Sequence, residues 1–349
     1  MASSDSPDTD ARTAALARDL AAALRSGYGI EAEAIEPSER GKDFAASVFV
    51  LFSGGHSPSH IVKVRPAGAG RDTAAAVARH LADAGVPGVV APIRTRAGAA
   101  SDESERFSLT VYPFIDGRVG IEMQLSDASW RALGRFARRL HETVLPEDLA
   151  SILRRESYEP PDFQRVPIVD AAVVAWTAGD AVSRRVVELW REQRDEILAL
   201  ATRATALGDA LRTRALPLVT CHADLHTGNL IVDPDERVWV IDWDEVVLAP
   251  RERDLMFAVG GGIATSLVSE GATARFLEGY GDVQLDDQAL SYYRHAWAVQ
   301  DVGGYAWRVL LDDSATLPQR EDAAFILAGL FRPGEIVDLA RRAATTAET

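Results

Sequence analysis

Cysteine is almost absent from this chain: Cys221 is the one cysteine in 349 residues. It allows no intrachain disulfide and no multi-thiolate metal cluster within one chain. Long apolar runs are missing too. Segments such as AAVVAW and FAVGG fall well short of the roughly 20 residues that a bilayer-crossing helix needs. The opening MASSDSPDTDARTAALARDL has neither a basic n-region nor a continuous apolar h-region, so no secretory signal is expected. Together these absences predict a cytoplasmic protein with no membrane partner, and leave monomer and homodimer both open. Positive charge is also scarce, with 37 Lys and Arg against 52 Asp and Glu and a formal net charge of -15. That balance repels polyanions, and no Lys/Arg stripe interrupts it, which argues against nucleic acid as a partner. It suits a cationic small molecule, although acidity for solubility alone accounts for it equally well. Neither a Walker A motif nor a repeat at a solenoid period is present.

The residues that remain, 47% of them hydrophobic, are enough for one large domain or two lobes. Residues 1–12 are polar and predicted to be disordered. ARTAALARDLAAALRSGYGI places Ala and Leu at helical spacing and stops at Gly27 and Gly29. IEAEAIEP, SVFVLF and HIVKVRP read as strands, separated by a polar loop and by the turn SGGHSPS. RDTAAAVARHLADAG reads as a helix closed by Gly85. GVVAPIRT and RFSLTVYPFIDG are expected to be two further strands around a polar loop. The pattern predicts an N-terminal lobe over 13–116, an antiparallel sheet with an inserted helix. The boundary falls near Pro113–Gly120, and a largely helical lobe covers 117–345. Within it, Ser126 is the expected cap of one helix, and VDAAVVAWTAGDAVSRRVVELWREQRDEILALATRATALGDALRTR supplies at least two more.

The helical pattern breaks at LPLVTCHADLHTGNLIVDPDERVWVIDWDEVVLAPRERD. LIV and VWVI flank the turn Asp233–Pro234–Asp235–Glu236 and are expected to pair as a hairpin. That pairing would bring Asn229 and Asp242, thirteen positions apart, together. Two hard oxygen ligands suit Mg²⁺, which keeps several waters and binds substrate phosphates. The acid Asp224 is then left to meet an acceptor hydroxyl. Phosphoryl transfer needs positioning, charge neutralisation and a group that takes the hydroxyl proton, which matches this division of labour. A zinc hydrolase built on His222 and His226 would need a third protein ligand, and none stands at a convincing spacing.

His222, Asp224 and Asn229 in a His-x-Asp-x-x-x-x-Asn loop, followed by Ile241-Asp242-Trp243, resemble the catalytic segment of the aminoglycoside phosphotransferase family, which shares the protein-kinase fold. The continuation through Asp244, Leu-Ala-Pro and Arg-Glu-Arg-Asp-Leu-Met-Phe is especially like its spectinomycin phosphotransferase branch. The resemblance is strong over 217–257 and faint across the rest of 30–310. It implies an α+β, two-lobed kinase-like enzyme that moves the γ-phosphoryl group of ATP or GTP, with Mg²⁺, to a small-molecule hydroxyl. A spectinomycin-like aminocyclitol or aminoglycoside leads the acceptors, and the associated role is antibiotic resistance. Methylthioribose, choline, homoserine and amino sugars are alternatives, as is a kinase-like binding protein without turnover.

By the same resemblance Asp224 is the base, Asn229 and Asp242 ligate Mg²⁺, Asp254 is a structural acid and His222 braces the loop. Lys63, alternating with apolar neighbours on its strand, aims at the nucleotide phosphates, whereas by default such a lysine would face solvent. Gly41 and Ser47 lie on the loop expected to cover the nucleotide, which lacks GxGxxG. Tyr112 and Phe114 belong to the segment whose backbone meets the nucleobase. The fold's usual helix glutamate is missing from RDTAAAVARHLADAG. Asp72 near its start either replaces that glutamate or stabilises the helix N-terminus. Asp244, Glu245, Trp297, Asp301 and Tyr305 are candidate acceptor contacts, the aromatic ones through cation–π attraction. Tyr292, Tyr293 and Gln300 share that helical stretch. The competing reading of its aromatics is ordinary helix packing.

Overall fold

A computed structural model describes residues 16–38, 46–67, 73–159, 161–259 and 271–346. The expected disorder of residues 1–12, and the calls on Gly41 and Asp72, lie outside the described residues. The fold is α+β, two-lobed and kinase-like, and the chain divides into two compact units. The first comprises the residues up to Arg118 together with Leu145–Leu153 and Ile231–Val246. The second comprises Val119–Val144, Arg154–Leu230 and the residues from Val247 onward.

In the first unit, helix α1 (residues 16–23) ends in a π turn over Leu24–Tyr28. Gly29 closes it at φ 73°, a left-handed conformation that glycine adopts at little cost. An antiparallel sheet follows. It contains β1 (Ala34–Pro37), β2 (Ser47–Phe52), β3 (Pro58–Pro66), β4 (Asp102–Glu103) and β5 (Phe107–Pro113), in the order β1-β2-β3-β5-β4. β3 is the middle strand, with Lys63 opposite Val48 on β2 and Thr110 on β5. Side chains alternate across a pleat, so Val62, Val64, Leu109 and Val111 join Leu20, Leu24, Leu51 and Phe107 in one apolar core. Lys63 and Thr110, one position out of phase, turn away from that core yet are also buried.

Helix α2 (Thr73–Asp83) buries Ala75, Val77, Ala78 and Leu81. GVVAPIRT does not form the expected strand. Val89 makes an isolated bridge to Val240, Val90 donates its N–H to the Val240 carbonyl, and Ile93 donates to Val111. Pro92 has no N–H to offer a ladder, and the preceding residues are already bonded elsewhere. The two-residue β4 takes the sheet edge instead. After the short strand β6 (Arg118–Val119) and helix α4 (Glu147–Ile152), the unit is completed by the predicted hairpin, β8 (Leu230–Val232) beside β9 (Val238–Val240). Asp233 organises its turn by accepting the N–H groups of Asp235 and Arg237 at 2.9 Å each and the Trp239 indole N–H at 2.9 Å.

The second unit is largely helical. Helix α3 (Asp127–Glu142) starts where Ser126 accepts the Ser129 N–H at 3.1 Å. It packs against α8 (Ala272–Tyr280) at two glycines. A Cβ on Gly134 would stand 2.1 Å from the Phe276 carbonyl oxygen, and one on Gly279 2.1 Å from that of Arg131. Helices α5 (Arg165–Ala175) and α6 (Ala181–Arg212) are separated where Asp180 caps α6. Both pack on the long α9 (Asp287–Leu310), as do α10 (Leu317–Gly329) and α11 (Ile336–Thr346). Strands β7 (Val219–Cys221) and β10 (Val247–Ala249) pair antiparallel and lead into the short helix α7 (Glu252–Leu255). Among the described residues no helix is long and apolar enough to cross a membrane.

Candidate active site

The HADLHTGN segment leaves β7 in a strained turn, with Ala223 at φ 68°, a conformation that costs a non-glycine residue of order 1–3 kcal/mol. Asp254 on α7 holds that turn. Its carboxylate accepts the backbone N–H of His222 at 3.0 Å and of Ala223 at 2.6 Å. His141 on α3 adds a third contact, Nε2 to Asp254 at 3.0 Å, while its Nδ1 meets the Tyr280 hydroxyl at 2.8 Å. Asp254 is only 1% exposed. A carboxylate this deep persists by gathering donors, here two backbone amides and an imidazole.

Asp224 follows immediately. Its backbone N–H points to His222 Nδ1 at 3.3 Å, which gives the buried His222 a bracing contact within the loop. The Asn229 side-chain amide donates to both the carbonyl and Oδ2 of Asp224, at 2.9 and 2.7 Å. With its nitrogen so committed, Asn229 has its carbonyl oxygen left as a hard donor for a cation. Burial pushes the Asp224 carboxyl up, but the nearby His226 and His222 rings and the Asn229 amide outweigh it, and its pKa stays below the usual value. Asp224 is therefore an anion at neutral pH, the state a proton acceptor requires.

Around this loop the ring of His226 meets Phe257 and Trp297 edge-on, with centroids 5.8 and 6.5 Å away. Arg253 lies over both Trp297 and Tyr293. Trp297, 6% exposed, packs against the loop, whereas Tyr292 and Tyr293 are core residues. Tyr305 is half-buried. Its phenol is pushed up by burial first and then by the neighbouring charges of Asp301, Asp322 and Asp224. Asp301 and Gln300 are half-buried on the same helix.

In the first unit, Lys63 is 8% exposed rather than solvent-facing. Its ammonium lies 3.2 Å from Asp242 Oδ1 and also pairs with Asp244. Arg65, two residues further along the same face of β3, pairs with the other Asp244 oxygen at 2.6 Å. Burial pushes the Asp244 carboxyl up, but Lys63 and Arg65 together hold it below the usual value. Carboxylates from the segment after β9 thus pair with the lysine. Asp244, a candidate acceptor contact from the sequence, is engaged here with Lys63 and Arg65. Asp242 takes φ 62°, next to the buried Trp243, and keeps its carboxylate partly exposed. Glu245 and Ser47 are exposed, while Tyr112 and Phe114 are half-buried at the end of β5. There the Phe114 N–H is taken by the Ser59 carbonyl at 3.1 Å.

Three contributors escaped the sequence reading. Arg65 had a signal in the two-residue spacing of Lys63 and Arg65 on one strand. His141 had none, being 113 positions from Asp254. His226 was weighed only as a zinc ligand. Among the described residues, the one group of His, Cys, Asp and Glu atoms close enough to share an ion is His141, Cys221 and Asp254. These are tied up in hydrogen bonds, with the Cys221 thiol directed at the Ala249 and Pro250 carbonyls.

The profile described as the phosphotransferase enzyme family matches residues 41–296. No curated protein matches the chain. Among solved structures, a spectinomycin phosphotransferase in complex with ADP and spectinomycin is similar at 28% identity and a TM-score of 0.85, over 94% of this chain and 98% of that one. Its AMP-bound complex matches at 28% identity and a TM-score of 0.80, over 93% and 98%. An amicoumacin kinase in complex with AMP-PNP, Ca²⁺ and Ami, 17% identical with a TM-score of 0.58 over 92% and 93%, shares the fold.

Proposed function

Because the chain belongs to the phosphotransferase enzyme family, we propose that it transfers the γ-phosphoryl group of ATP or GTP to a hydroxyl of a small cationic aminocyclitol or aminoglycoside, with spectinomycin-like compounds first. At the level of the family it is an ATP-dependent phosphotransferase acting on small-molecule hydroxyls. The observation that carries the finer reading is the likeness, over nearly the full length of both chains, to the phosphotransferase solved with ADP and spectinomycin. The net charge of -15 favours a cationic acceptor.

In this reading Asp224 orients the acceptor hydroxyl and takes its proton. Its carboxylate is ionised, and the Asn229 amide fixes one of its oxygens. Lys63 supplies positive charge to the phosphates. Asn229 and Asp242 offer the oxygen donors that fit Mg²⁺ and would hold it. When bound, that ion neutralises phosphate charge and orients the transferring group. The backbone around Tyr112 and Phe114 would meet the nucleobase. Ser47, Glu245, Asp301 and Tyr305 remain candidate contacts, the first for nucleotide and the others for acceptor.

The test is turnover of purified protein with Mg²⁺ and either ATP or GTP. The acceptors are spectinomycin, several aminoglycosides, choline, homoserine and methylthioribose, with product mass measured directly. One phosphoryl group gained by spectinomycin or an aminoglycoside is the expected result. Phosphorylation of choline, homoserine or methylthioribose alone would replace the antibiotic reading with a metabolic one.

A further inference from the structure

His226 is held more tightly than a bystander in the loop would need to be. The Gly228 N–H points at its Nδ1 from 3.0 Å, within the short 3-10 turn Thr227–Asn229. A neutral imidazole has one donor and one acceptor nitrogen, so a filled Nδ1 lone pair puts the proton on Nε2. That nitrogen lies 3.2 Å from Asp224 Oδ1 and, at the longer distance of 3.5 Å, faces the Asn229 side-chain nitrogen, whose hydrogens are committed to Asp224. Phe257 and Trp297, their own rings 4.9 Å apart, fix the plane of the imidazole. Gly228 permits the arrangement, since a Cβ there would stand 2.7 Å from His226 Cε1 and 2.9 Å from Nδ1.

The two oxygens of Asp224 are served unequally. Oδ2 accepts the Asn229 amide at 2.7 Å. Oδ1 is buried and has no well-aligned hydrogen-bond donor, because the His226 N–H is near enough but approaches off-line. A buried carboxylate oxygen in that condition is costly, and a small rotation of either side chain would complete the bond.

We propose that His226 is a positioning residue whose Nε2–H engages Asp224 Oδ1 and sets the orientation in which the carboxylate meets the acceptor hydroxyl. The inference rests on the phosphotransfer reading above. Its structural competitor is that the ring serves the turn through Nδ1 alone. Two isosteres separate them. His226→Asn keeps an acceptor where Nδ1 stood and loses the donor, while His226→Gln keeps a donor where Nε2 stood.

If His226 positions Asp224, kcat of the Asn variant falls on the order of tenfold below that of the Gln variant, as expected for loss of a charge-assisted bond. Nucleotide affinity is the same in both variants. An Asn variant as fast as the Gln variant overturns the proposal. The imidazole tautomer, read by nitrogen NMR on the wild-type chain, is expected to be Nε2–H, and Nδ1–H also overturns it. The tautomer needs no acceptor to be read. A wild-type chain that phosphorylates nothing in the panel sinks the functional reading instead, so the two failures are distinguishable.

Discussion

Lys63 in the first unit and Asp224 in the second are both charged groups drawn out of water, but they are held by different means. Lys63 is held by side chains, namely Asp242 and Asp244, with Arg65 sharing the latter. Asp224 sits on a backbone locked from beneath by Asp254, which reaches two successive main-chain N–H groups of the strained turn. Side-chain ion pairs leave the backbone beneath them unconstrained, whereas a buried carboxylate on backbone amides cannot be released without undoing the loop. The lysine is thus oriented by side chains and the aspartate loop by its backbone.

The strongest way to break this comparison is to remove Asp224. Asp224→Ala is expected to lower kcat by about 10²–10⁴, the range for a lost general base. Nucleotide affinity and the denaturation midpoint should fall far less than turnover, since the side chains that Asp224 engages, Asn229 and His226, lie on its own loop. Near-normal turnover would end its assignment as base.

Asp254→Asn should show the reverse balance. It removes a buried charge that three donors serve, so unfolding free energy is expected to fall by about 3 kcal/mol, measured by denaturant titration, with activity falling alongside. Unchanged stability would mean that the strained turn holds itself.

The smallest effect is expected from Asp244→Asn, which loosens Lys63 without exposing a core. The apparent KM for nucleotide should rise by about three- to tenfold, with stability altered by less than about 1 kcal/mol. A fall in KM would show that Asp244 competes with phosphate for the lysine rather than orienting it.

Much of this was legible beforehand because the signals were local. The Ser126 cap, the stop at Gly29, the Asp233 turn and its hairpin each depend on residues a few positions apart. The compound His222–Asp224–Asn229 motif likewise lies within one loop. GVVAPIRT misled because its apolar run reads as a strand while its N–H groups are spent on Val240 and Val111. Lys63 had an ambiguous reading because alternation assigns a face and not what covers that face. Among the acceptor candidates, the aromatic spacing on α9 could not separate Tyr293 in the core from Tyr305, half-buried beside Asp301.

By itself, the sequence determined the class of fold, the reaction family and most elements of the first unit, with GVVAPIRT the exception. The elements rest on periodicity, caps and short spacings, which short-range sterics and hydrogen bonding govern, and the kinase-like fold and reaction family on the resemblance of one compound motif. Only the tertiary structure decided that Asp244 and Arg65 accompany Lys63, that His141 reaches Asp254, and that His226 turns its Nε2 toward Asp224. Those contacts join residues that no local rule relates, or depend on which face of a ring a distant aromatic covers. They follow from how the chain packs.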